Sequence, residues 1–386
     1  MAPFRVRGLV ATVIGLALAG GCAAPVAGQN HPEPARAAPA ATPIAAPMRP
    51  PVAAIAAPSP APRLWPYKRV FGHDYIDAKA IAERLGLKTE WLVSGRVLRL
   101  ADAAGTTRLK LEDRDHDCYL DGTRVFLGEP VVYFQGSLYV SKIDVIKTLV
   151  PLLRPEEYAA QLPGPPRVIV LDPGHGGNDD GTSNKRLKLF EKEVTLDTAQ
   201  RLEKLLVARG YRVILTRTTD RYVALDQRPD LAFREHADLF VSIHFNSSEP
   251  AVSGTETYVM TPQFQTSTQP EQDKTMIPAL YPANRRDPVN ILLGFEVHRR
   301  VLASLGTSDR GLKRRRLAVL RPLECPGVLV ESAYLSNEAE ARRVATPEFR
   351  QRIAQAIADG IADYAAALAA IHPPPPETHP APPPSP

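Results

Sequence analysis

The sequence predicts an α/β protein with a mostly parallel, twisted sheet covered by helices on both faces, preceded by a small α+β domain. In the C-terminal half, apolar stretches of strand length alternate with helical patterns, beginning with residues 167–171 and 194–206. This alternation is typical of parallel strands joined by crossover helices. In the N-terminal half, short alternating strands and the turn dipeptide Asp121-Gly122 indicate a separate, smaller unit.

Residues 1–22 are predicted to be a signal peptide. Arg5 and Arg7 precede an apolar stretch that is too short to span a bilayer, and small residues follow it. The stretch ends in Ala-Gly-Gly-Cys, which resembles a bacterial lipobox with Cys22 as the acylated residue, although Ala19 stands where Leu is usual. We therefore expect an exported protein of the periplasm or cell envelope, anchored to the membrane through Cys22. Ordinary cleavage after a small residue is the alternative.

Two proline-rich segments flank the predicted globular part. The 39 prolines of the 386-residue chain are concentrated in residues 23–64 and 371–386, where large apolar residues are scarce. Such segments cannot bury a core, so we expect an extended, semi-stiff linker before the globular part and a tail after it. If Cys22 is acylated, Cys118 and Cys325 remain, and we expect both to be buried free thiols.

Residues 65–155 are predicted to form the small α+β domain. Apolar residues at helical spacing, among them Ile81 and Leu85, indicate a helix that ends at Gly86. Strands are predicted at 97–100, 108–111, 123–127 and 138–140. Hairpin turns are predicted at Asp121-Gly122 and Gln135-Gly136, and a helix at 142–150. This order, and phrases such as YIDAKAIAERLGLKTEW, resemble the small domain first named from the N-terminus of copper amine oxidases. The resemblance implies a wall-binding or spacer role and no copper chemistry.

Residues 166–370 are predicted to form the larger domain, after the linker Pro163-Gly164-Pro165-Pro166. Its predicted strands are 167–171, 211–215, 239–243, 255–259, 317–320 and 328–330. Its predicted helices are 194–206, 226–236, 289–305 and 349–368. In open sheets of this kind, ligands bind beyond the carboxyl ends of the strands.

Polar side chains occupy that edge of the predicted sheet. His175, His244 and Glu331 each follow or end a predicted strand, and Glu191 lies just before the helix that starts near Val194. Two imidazoles and one carboxylate are the ligands of a catalytic zinc, which keeps a fourth position for water. A single His or Glu at a strand end is more often an ordinary turn residue. This hypothesis therefore depends on the occurrence of several such residues together.

Other chemistries find no support in the motifs. The GHGGND stretch around His175 has neither the spacing of a dinucleotide-binding loop nor the Gly-Lys-Ser/Thr of a phosphate-binding loop, and no Gly-x-Ser-x-Gly elbow is present. The formal net charge of +5 is compatible with acidic partners in general, namely nucleic acid, anionic lipid or an acidic polymer, and does not choose among them.

A run of motifs then resembles one family. In order along residues 167–367 they are VIVLDPGHGGNDDGT, FEKEVTLDTAQRL, GYRVILTR, ADLFVSIHFNSS, GTETYVM, DRGLKRRRLAVLR and PGVLVESAYLSNEAEARRV. They are similar to the zinc-dependent N-acetylmuramoyl-L-alanine amidases, the cell-wall autolysins of the Amidase_3 type. The resemblance implies Zn²⁺ held by His175, Glu191 and His244, with Glu331 as the catalytic carboxylate. It further implies cleavage of the bond between N-acetylmuramic acid and L-alanine.

The resemblance implies peptidoglycan as the partner and no nucleic acid, and leaves room for an unidentified activator protein. Two alternatives stay open: a zinc peptidase that acts on peptidoglycan stem peptides, and a non-catalytic wall-binding relative. The basic run from Lys313 to Arg316, with Arg321, is interpreted about equally well as a solvated surface or as a substrate-binding patch. Residues 263–290 exceed the length of a simple connection, so an overhang that gates the cleft is a further hypothesis.

Overall fold

The computed structural model describes residues 64–269 and 277–372. The predicted signal peptide with Cys22, nearly all of the linker and residues 373–386 of the tail lie outside the described residues. Within the described ranges, no helix is both long enough and apolar enough to cross a membrane.

Short strands dominate the first part of the chain: β1 (Lys68–Val70), β2 (His73–Asp77), β3 (Lys88–Val93), β4 (Val97–Ala101), β5 (Thr107–Glu112), β6 (Asp117–Leu120), β7 (Thr123–Phe126), β8 (Val132–Phe134) and β9 (Ser137–Ser141). The second part contains β10 (Val168–Pro173), β11 (Ser183–Asn184), β12 (Leu189–Phe190), β13 (Arg212–Leu215), β14 (Leu239–Asn246), β15 (Thr255–Val259), β16 (Asp309–Arg314) and β17 (Gly327–Tyr334).

The helices are α1 (Ala78–Leu85), α2 (Lys142–Asp144), α3 (Val150–Leu153), α4 (Glu191–Ala208), α5 (Gln227–Arg234), α6 (Asp287–Leu305), α7 (Glu338–Val344) and α8 (Pro347–Ile371). A π-helical turn, Val145–Leu149, joins α2 to α3, and 3₁₀ turns occur at Pro155–Gln161 and Pro282–Arg286.

The main sheet has eleven strands in the order β13-β10-β14-β17-β15-β16-β7-β6-β5-β4-β3. Five neighbouring pairs are parallel and five are antiparallel, so the sheet is mixed and the expectation of a mostly parallel sheet does not describe it as a whole. Parallel pairing prevails only among the strands of residues 166–370. The strands from β3 to β7 are joined by short turns, which force antiparallel neighbours.

Helices and loops cover both faces of the parallel part. Alternate residues of β10 enter two different cores: Ile169 and Leu171 pack with the apolar residues of α4, α6 and α8. Val170 packs with Ala232 of α5 and with Leu320, on the opposite face. Because both faces are buried, β10 is apolar at consecutive positions rather than at every second one.

The two predicted domains share one sheet and one core. Strand β7 pairs with β16 in parallel, with Val125 opposite Leu312. One buried apolar cluster extends from Ile76 and Leu98 near the N-terminus to Leu171 in β10. The remaining strands of the N-terminal region form a separate antiparallel sheet in the order β1-β2-β9-β8. The region therefore extends the large domain rather than standing apart from it.

Specific side chains complete this junction. Gly311 in β16 has a φ of 95°, and a Cβ atom there would lie 2.5 Å from the Phe126 ring of β7. The buried Arg314 donates hydrogen bonds to the Met260 carbonyl at 3.0 Å and to the Lys147 carbonyl and the Thr148 hydroxyl at 2.8 Å each. Arg314 thus ties the end of β16 to the helical turn that closes the N-terminal region.

Several local predictions are confirmed. Helix α1 ends at Gly86, whose φ is 68°, and both hairpin turns form, with positive φ at Asp121 and Gln135. Cys118 and Cys325 are buried and free.

One predicted strand is wrong. Residues 317–320 form a turn, in which the Leu317 carbonyl accepts hydrogen bonds from the Leu320 and Arg321 amides. The strand at this place is β16, which ends at Arg314 and mixes charged residues with apolar ones. A short apolar stretch has no periodicity that distinguishes a strand from a buried turn.

Candidate metal centre

Three elements position the proposed metal ligands. His175 follows β10, His244 lies in β14, and Glu191 is the first residue of α4, three positions earlier than the predicted helix start. Strands β14 and β17 are parallel neighbours, and His244 is opposite Glu331 in their register. Both strands continue beyond their predicted ends, so these two residues lie within strands and are fixed by the ladder.

The three side chains converge on one point. Ligand atoms of His175, Glu191 and His244 all lie within 4.8 Å of one another. Nε2 of His175 is 3.1 Å from Oε2 of Glu191, and Nδ1 of His244 is 2.9 Å from Oε1 of the same carboxylate. The imidazole rings are nearly perpendicular, at 79°, with centroids 5.0 Å apart. This group could hold a metal ion.

Glu191 is fixed from both sides by backbone donors. The Thr182 amide donates to Oε2 at 2.8 Å, and the Phe245 amide donates to Oε1 at 3.1 Å. Burial by itself raises the pKa of this carboxyl, yet the hydrogen bonds and charges of His175 and His244 outweigh it and lower the pKa. Glu191 also lies in the first turn of α4, where the helix dipole favours a negative charge. The ionised form of Glu191 is therefore favoured, and both of its carboxylate oxygens are held by hydrogen bonds.

Glycines allow the loop to approach the site closely. A Cβ atom on Gly174 would lie 2.2 Å from Cε1 of His244, and one on Gly181 would lie 2.5 Å from Oε2 of Glu191. His175 itself has a φ of 61°, in the left-handed region that non-glycine residues seldom adopt. Such strain persists only where the surroundings enforce it, and it is common at functional sites.

Two buried arginines hold this strained loop, and no sequence motif indicates their role. Arg217 donates to the Pro173 carbonyl at 3.0 Å and to the Gly174 carbonyl at 2.7 Å. Arg228 donates to the His175 carbonyl at 3.0 Å and forms a buried ion pair with Asp172 at 2.8 Å. Both arginines follow the loop by more than forty positions, so only the folded chain brings them to it.

Asp179 orients the His175 ring. Its Oδ2 lies 2.9 Å from Nδ1 of His175, so the other ring nitrogen, Nε2, faces Glu191. Burial lowers the pKa of His175, but hydrogen bonds and charges from Glu191 and Asp179 raise it overall. A carboxylate behind a ligating imidazole fixes its tautomer and increases its basicity. The sequence contained a signal for this residue, because Asp179 follows His175 by four positions within the GHGGND stretch.

Glu331 is in register with the metal-binding His244, and one of its carboxyl oxygens has no hydrogen-bond partner among the described residues. That oxygen, Oε2, is buried. Burial raises the pKa of this carboxyl, and the charges of Glu191 and Glu256 raise it further. A carboxyl in such surroundings is suited to carry a proton.

The basic run divides between structural and cavity-lining positions. Arg314 and Arg316 are buried, and Arg316 donates to the Pro262 carbonyl at 2.9 Å and the Gln265 carbonyl at 2.8 Å. Lys313 and Arg315 instead line a cavity beside Glu331. The sequence could not separate these roles, because the strand predicted at this place, 317–320, does not include them, whereas β16 contains Lys313 and Arg314.

Residues 263–269 and 277–290 are the described parts of the predicted overhang. The side chain of Gln265 donates to the buried Asp144 of the N-terminal region. The Phe264 amide donates to the Ile277 carbonyl at 2.9 Å. This part of the segment is therefore anchored on the N-terminal region.

Comparison with known proteins gives one family. The model of the Amidase_3 family, N-acetylmuramoyl-L-alanine amidase, matches residues 169–363. N-acetylmuramoyl-L-alanine amidase LytC of Bacillus subtilis (strain 168) is 34% identical over 300 residues, which are 77% of this chain and 55% of that protein. N-acetylmuramoyl-L-alanine amidase AmiC of Escherichia coli O6:H1 is 33% identical over 223 residues, which are 52% of this chain and 53% of that protein.

Solved structures show the same kind of similarity. The N-acetylmuramoyl-L-alanine amidase AmiC2 of Nostoc punctiforme is 31% identical, covers 51% of this chain and 96% of that chain, and has a TM-score of 0.43. The present chain spans about half the length of the two curated relatives, LytC and AmiC.

Proposed function

Because the chain belongs to the Amidase_3 family of N-acetylmuramoyl-L-alanine amidases, we propose that it hydrolyses the amide bond between N-acetylmuramic acid and L-alanine in peptidoglycan. One observation carries the proposal: His175, Glu191 and His244 converge within 4.8 Å, and Glu331 is in register with His244 on the neighbouring strand. The site thus combines a metal-binding group with a carboxyl suited to proton transfer.

The residues present fit a zinc ion. Two imidazoles and one carboxylate are ligand types of catalytic zinc sites, and this set leaves a further coordination position. The orphaned Oε2 of Glu331 faces no protein donor among the described residues, as expected of a group that acts on a substrate. When bound, Zn²⁺ supplies Lewis-acid polarisation of the scissile carbonyl and makes water more acidic.

The protein residues have distinct roles in this reaction. His175, Glu191 and His244 would hold the ion, and two backbone amides fix the Glu191 carboxylate. Asp179 fixes the orientation of His175. Glu331 takes a proton from the attacking water and passes it to the amide nitrogen, so that the peptide leaves as an amine. The described thiols, Cys118 and Cys325, are buried and offer no alternative nucleophile.

Digestion of purified sacculi tests the function. The expected products are intact glycan strands and stem peptides with a new amine on L-alanine, identified by mass spectrometry. Cleavage within the stem peptide would instead identify a zinc peptidase, and binding without any release of peptide would identify a non-catalytic relative.

The location of the enzyme is part of the proposal. The charged and apolar pattern of residues 1–22 supports export to the periplasm or cell envelope, and Cys22 supports a lipid anchor. The linker of residues 23–64 then lets the enzyme reach the wall. The region 65–155 resembles the copper amine oxidase N-like domain and serves in wall binding or spacing. Peptidoglycan is the partner, and an activator protein is compatible with the proposal.

A further inference from the structure

A polar cavity of about 190 Å³ lies beside Glu331, at the ends of β14, β15, β16 and β17. Every residue that lines it has a polar side chain, and Glu331 forms part of its wall. The lining includes residues from the basic run that the reaction described above does not use. Its main members are Asn246, Glu256, Arg310, Lys313, Arg315 and Tyr334.

The described lining of the cavity contains more cationic than carboxylic side chains. Three cations, Arg310, Lys313 and Arg315, contribute to its lining, whereas the ionised Glu256 opposes them. Nε of Arg310 and Nζ of Lys313 contact the same Glu256 oxygen at 2.8 and 2.7 Å. Among the described residues that line it, three are cationic and two, Glu256 and Glu331, are carboxylic. A polar space with this balance favours an anionic group.

Aromatic rings hold two of the cations at the cavity. The guanidinium of Arg310 lies 5.4 Å from the centroid of the Tyr334 ring, and that of Arg315 lies 5.6 Å from the centroid of the Tyr258 ring. Both guanidinium groups are therefore positioned by the fold. A positioned arginine is well suited to bind a carboxylate through two parallel hydrogen bonds.

The position of Glu331 indicates which half of the substrate enters the cavity. Its neighbour on β14 is the metal-binding His244, and its neighbour on β15 is the cavity-lining Glu256. Glu331 gives its proton to the amide nitrogen, which belongs to the peptide and not to the sugar. The bound peptide therefore extends past Glu331 on the side away from the metal-binding group, and the cavity lies on that side.

We infer that this cavity is a subsite for the free carboxylate on the second residue of the stem peptide. The inference rests on the proposed function and specifies its substrate. That carboxylate lies within about two residues of the scissile nitrogen, or roughly 7 Å along an extended chain. When the second residue is amidated, the charge is lost and the subsite gains no ion pair.

Two matched substrates test the subsite: N-acetylmuramoyl peptides that carry either a carboxylate or a carboxamide at the second residue. We expect the zinc-loaded, full-length protein to have a KM about 10- to 100-fold lower for the carboxylate form, as for other hydrogen bonds to charged groups. The difference in kcat is expected to be smaller, because the interaction is present before and during the reaction.

The variants Arg315→Gln and Arg310→Gln are each expected to remove most of this preference. Arg310→Gln also removes a contact with Glu256, so the two variants are compared with each other. Arg342→Gln serves as the control, because Arg342 is exposed on α7 and pairs with Glu338. This control removes the same charge and should keep the preference.

Equal KM values for the two substrates, or a preference that survives both variants, would overturn the subsite and leave the amidase function standing. Hydrolysis of neither substrate by folded, zinc-loaded protein would overturn the proposed function, and the subsite with it.

Discussion

Glu256 and Glu331 lie directly opposite each other on the antiparallel strands β15 and β17. Glu256 accepts hydrogen bonds from both Tyr258 and Tyr334 and pairs with Lys313. Burial raises the pKa of Glu256, but Lys313 and the tyrosines outweigh it and lower the pKa to about 2. Glu331 has the opposite shift, because burial and neighbouring carboxylates raise its pKa. Two facing carboxyls with opposite shifts have separate roles, and Glu331 is the one able to exchange protons.

Loss of either imidazole should abolish metal binding and activity together. His175→Ala and His244→Ala each leave only two of the three ligands, so both variants should be purified with little zinc and release no peptide from sacculi. Metal analysis and product analysis measure the two effects. His116→Ala is the control, because His116 is exposed and lies outside the group. Full activity of a histidine variant in metal-free buffer would contradict the site.

Asp179→Ala should weaken zinc binding without unfolding the protein. Removal of this carboxylate frees Nδ1 of His175 and loosens its ring, and such outer groups typically contribute about 10- to 100-fold to metal affinity. Competition with a chromogenic chelator measures the affinity. Asp180→Ala is the matched control, since Asp180 pairs with Lys192 and not with a ligand. Equal zinc affinity for wild type and Asp179→Ala would show that the carboxylate does not support the site.

The parallel core and the convergence of the site residues follow from the sequence because strand-helix alternation has a strong periodic signal. That signal places His175, His244 and Glu331 at one edge of the sheet. The same signal does not predict the roles of Arg217 and Arg228, because their contacts with the loop arise only from tertiary packing.

The relation between the two predicted domains could not be derived either. A linker rich in proline and glycine at residues 163–166 is typical of a domain boundary, and the sequence pattern carries no information about pairing across it. The single pairing of Val125 with Leu312 decides the architecture, because it joins the antiparallel strands to the parallel ones.

Deletion of residues 64–155 should destabilise the remaining domain. The deletion exposes the β16 edge and removes the Lys147 and Thr148 acceptors of the buried Arg314, and each unsatisfied buried group costs about 1–3 kcal/mol. Thermal unfolding should show one transition for the full chain and a lower unfolding temperature, or aggregation, for the variant without residues 64–155. An unchanged unfolding temperature after the deletion would identify the N-terminal region as an independent module.

Cys22→Ser should release the enzyme from the membrane. If Cys22 carries a lipid, wild type is expected in the membrane fraction with the mass increment of acylation, and the variant in the soluble fraction after export. At about 3 Å per residue, an extended proline-rich linker could span on the order of 100 Å, so the anchored enzyme would still reach the wall. Equal solubility of the two proteins, with no mass increment, would exclude the anchor.

Glu331→Gln should abolish turnover and retain zinc. The substitution keeps the shape of the side chain and removes the basic oxygen, and general acid-base catalysis contributes a factor of about 100 to 10,000. We therefore expect kcat to fall by at least about 100-fold, with zinc content near that of wild type. Glu338→Gln, at a half-buried glutamate on α7, is the control and should keep wild-type kcat.

Two outcomes would change the role of Glu331. Joint loss of zinc and activity would make it a fourth ligand rather than the proton carrier. Retention of both zinc and activity would mean that another group carries the proton. The contacts of the nearest candidates argue against them. Glu256 is held ionised by Lys313, and Asp172 is fully buried, accepts hydrogen bonds from Thr216 and Ser242, and pairs with Arg228. Neither carboxylate is suited to take up a proton, so the fall in kcat at Glu331 is expected to be large.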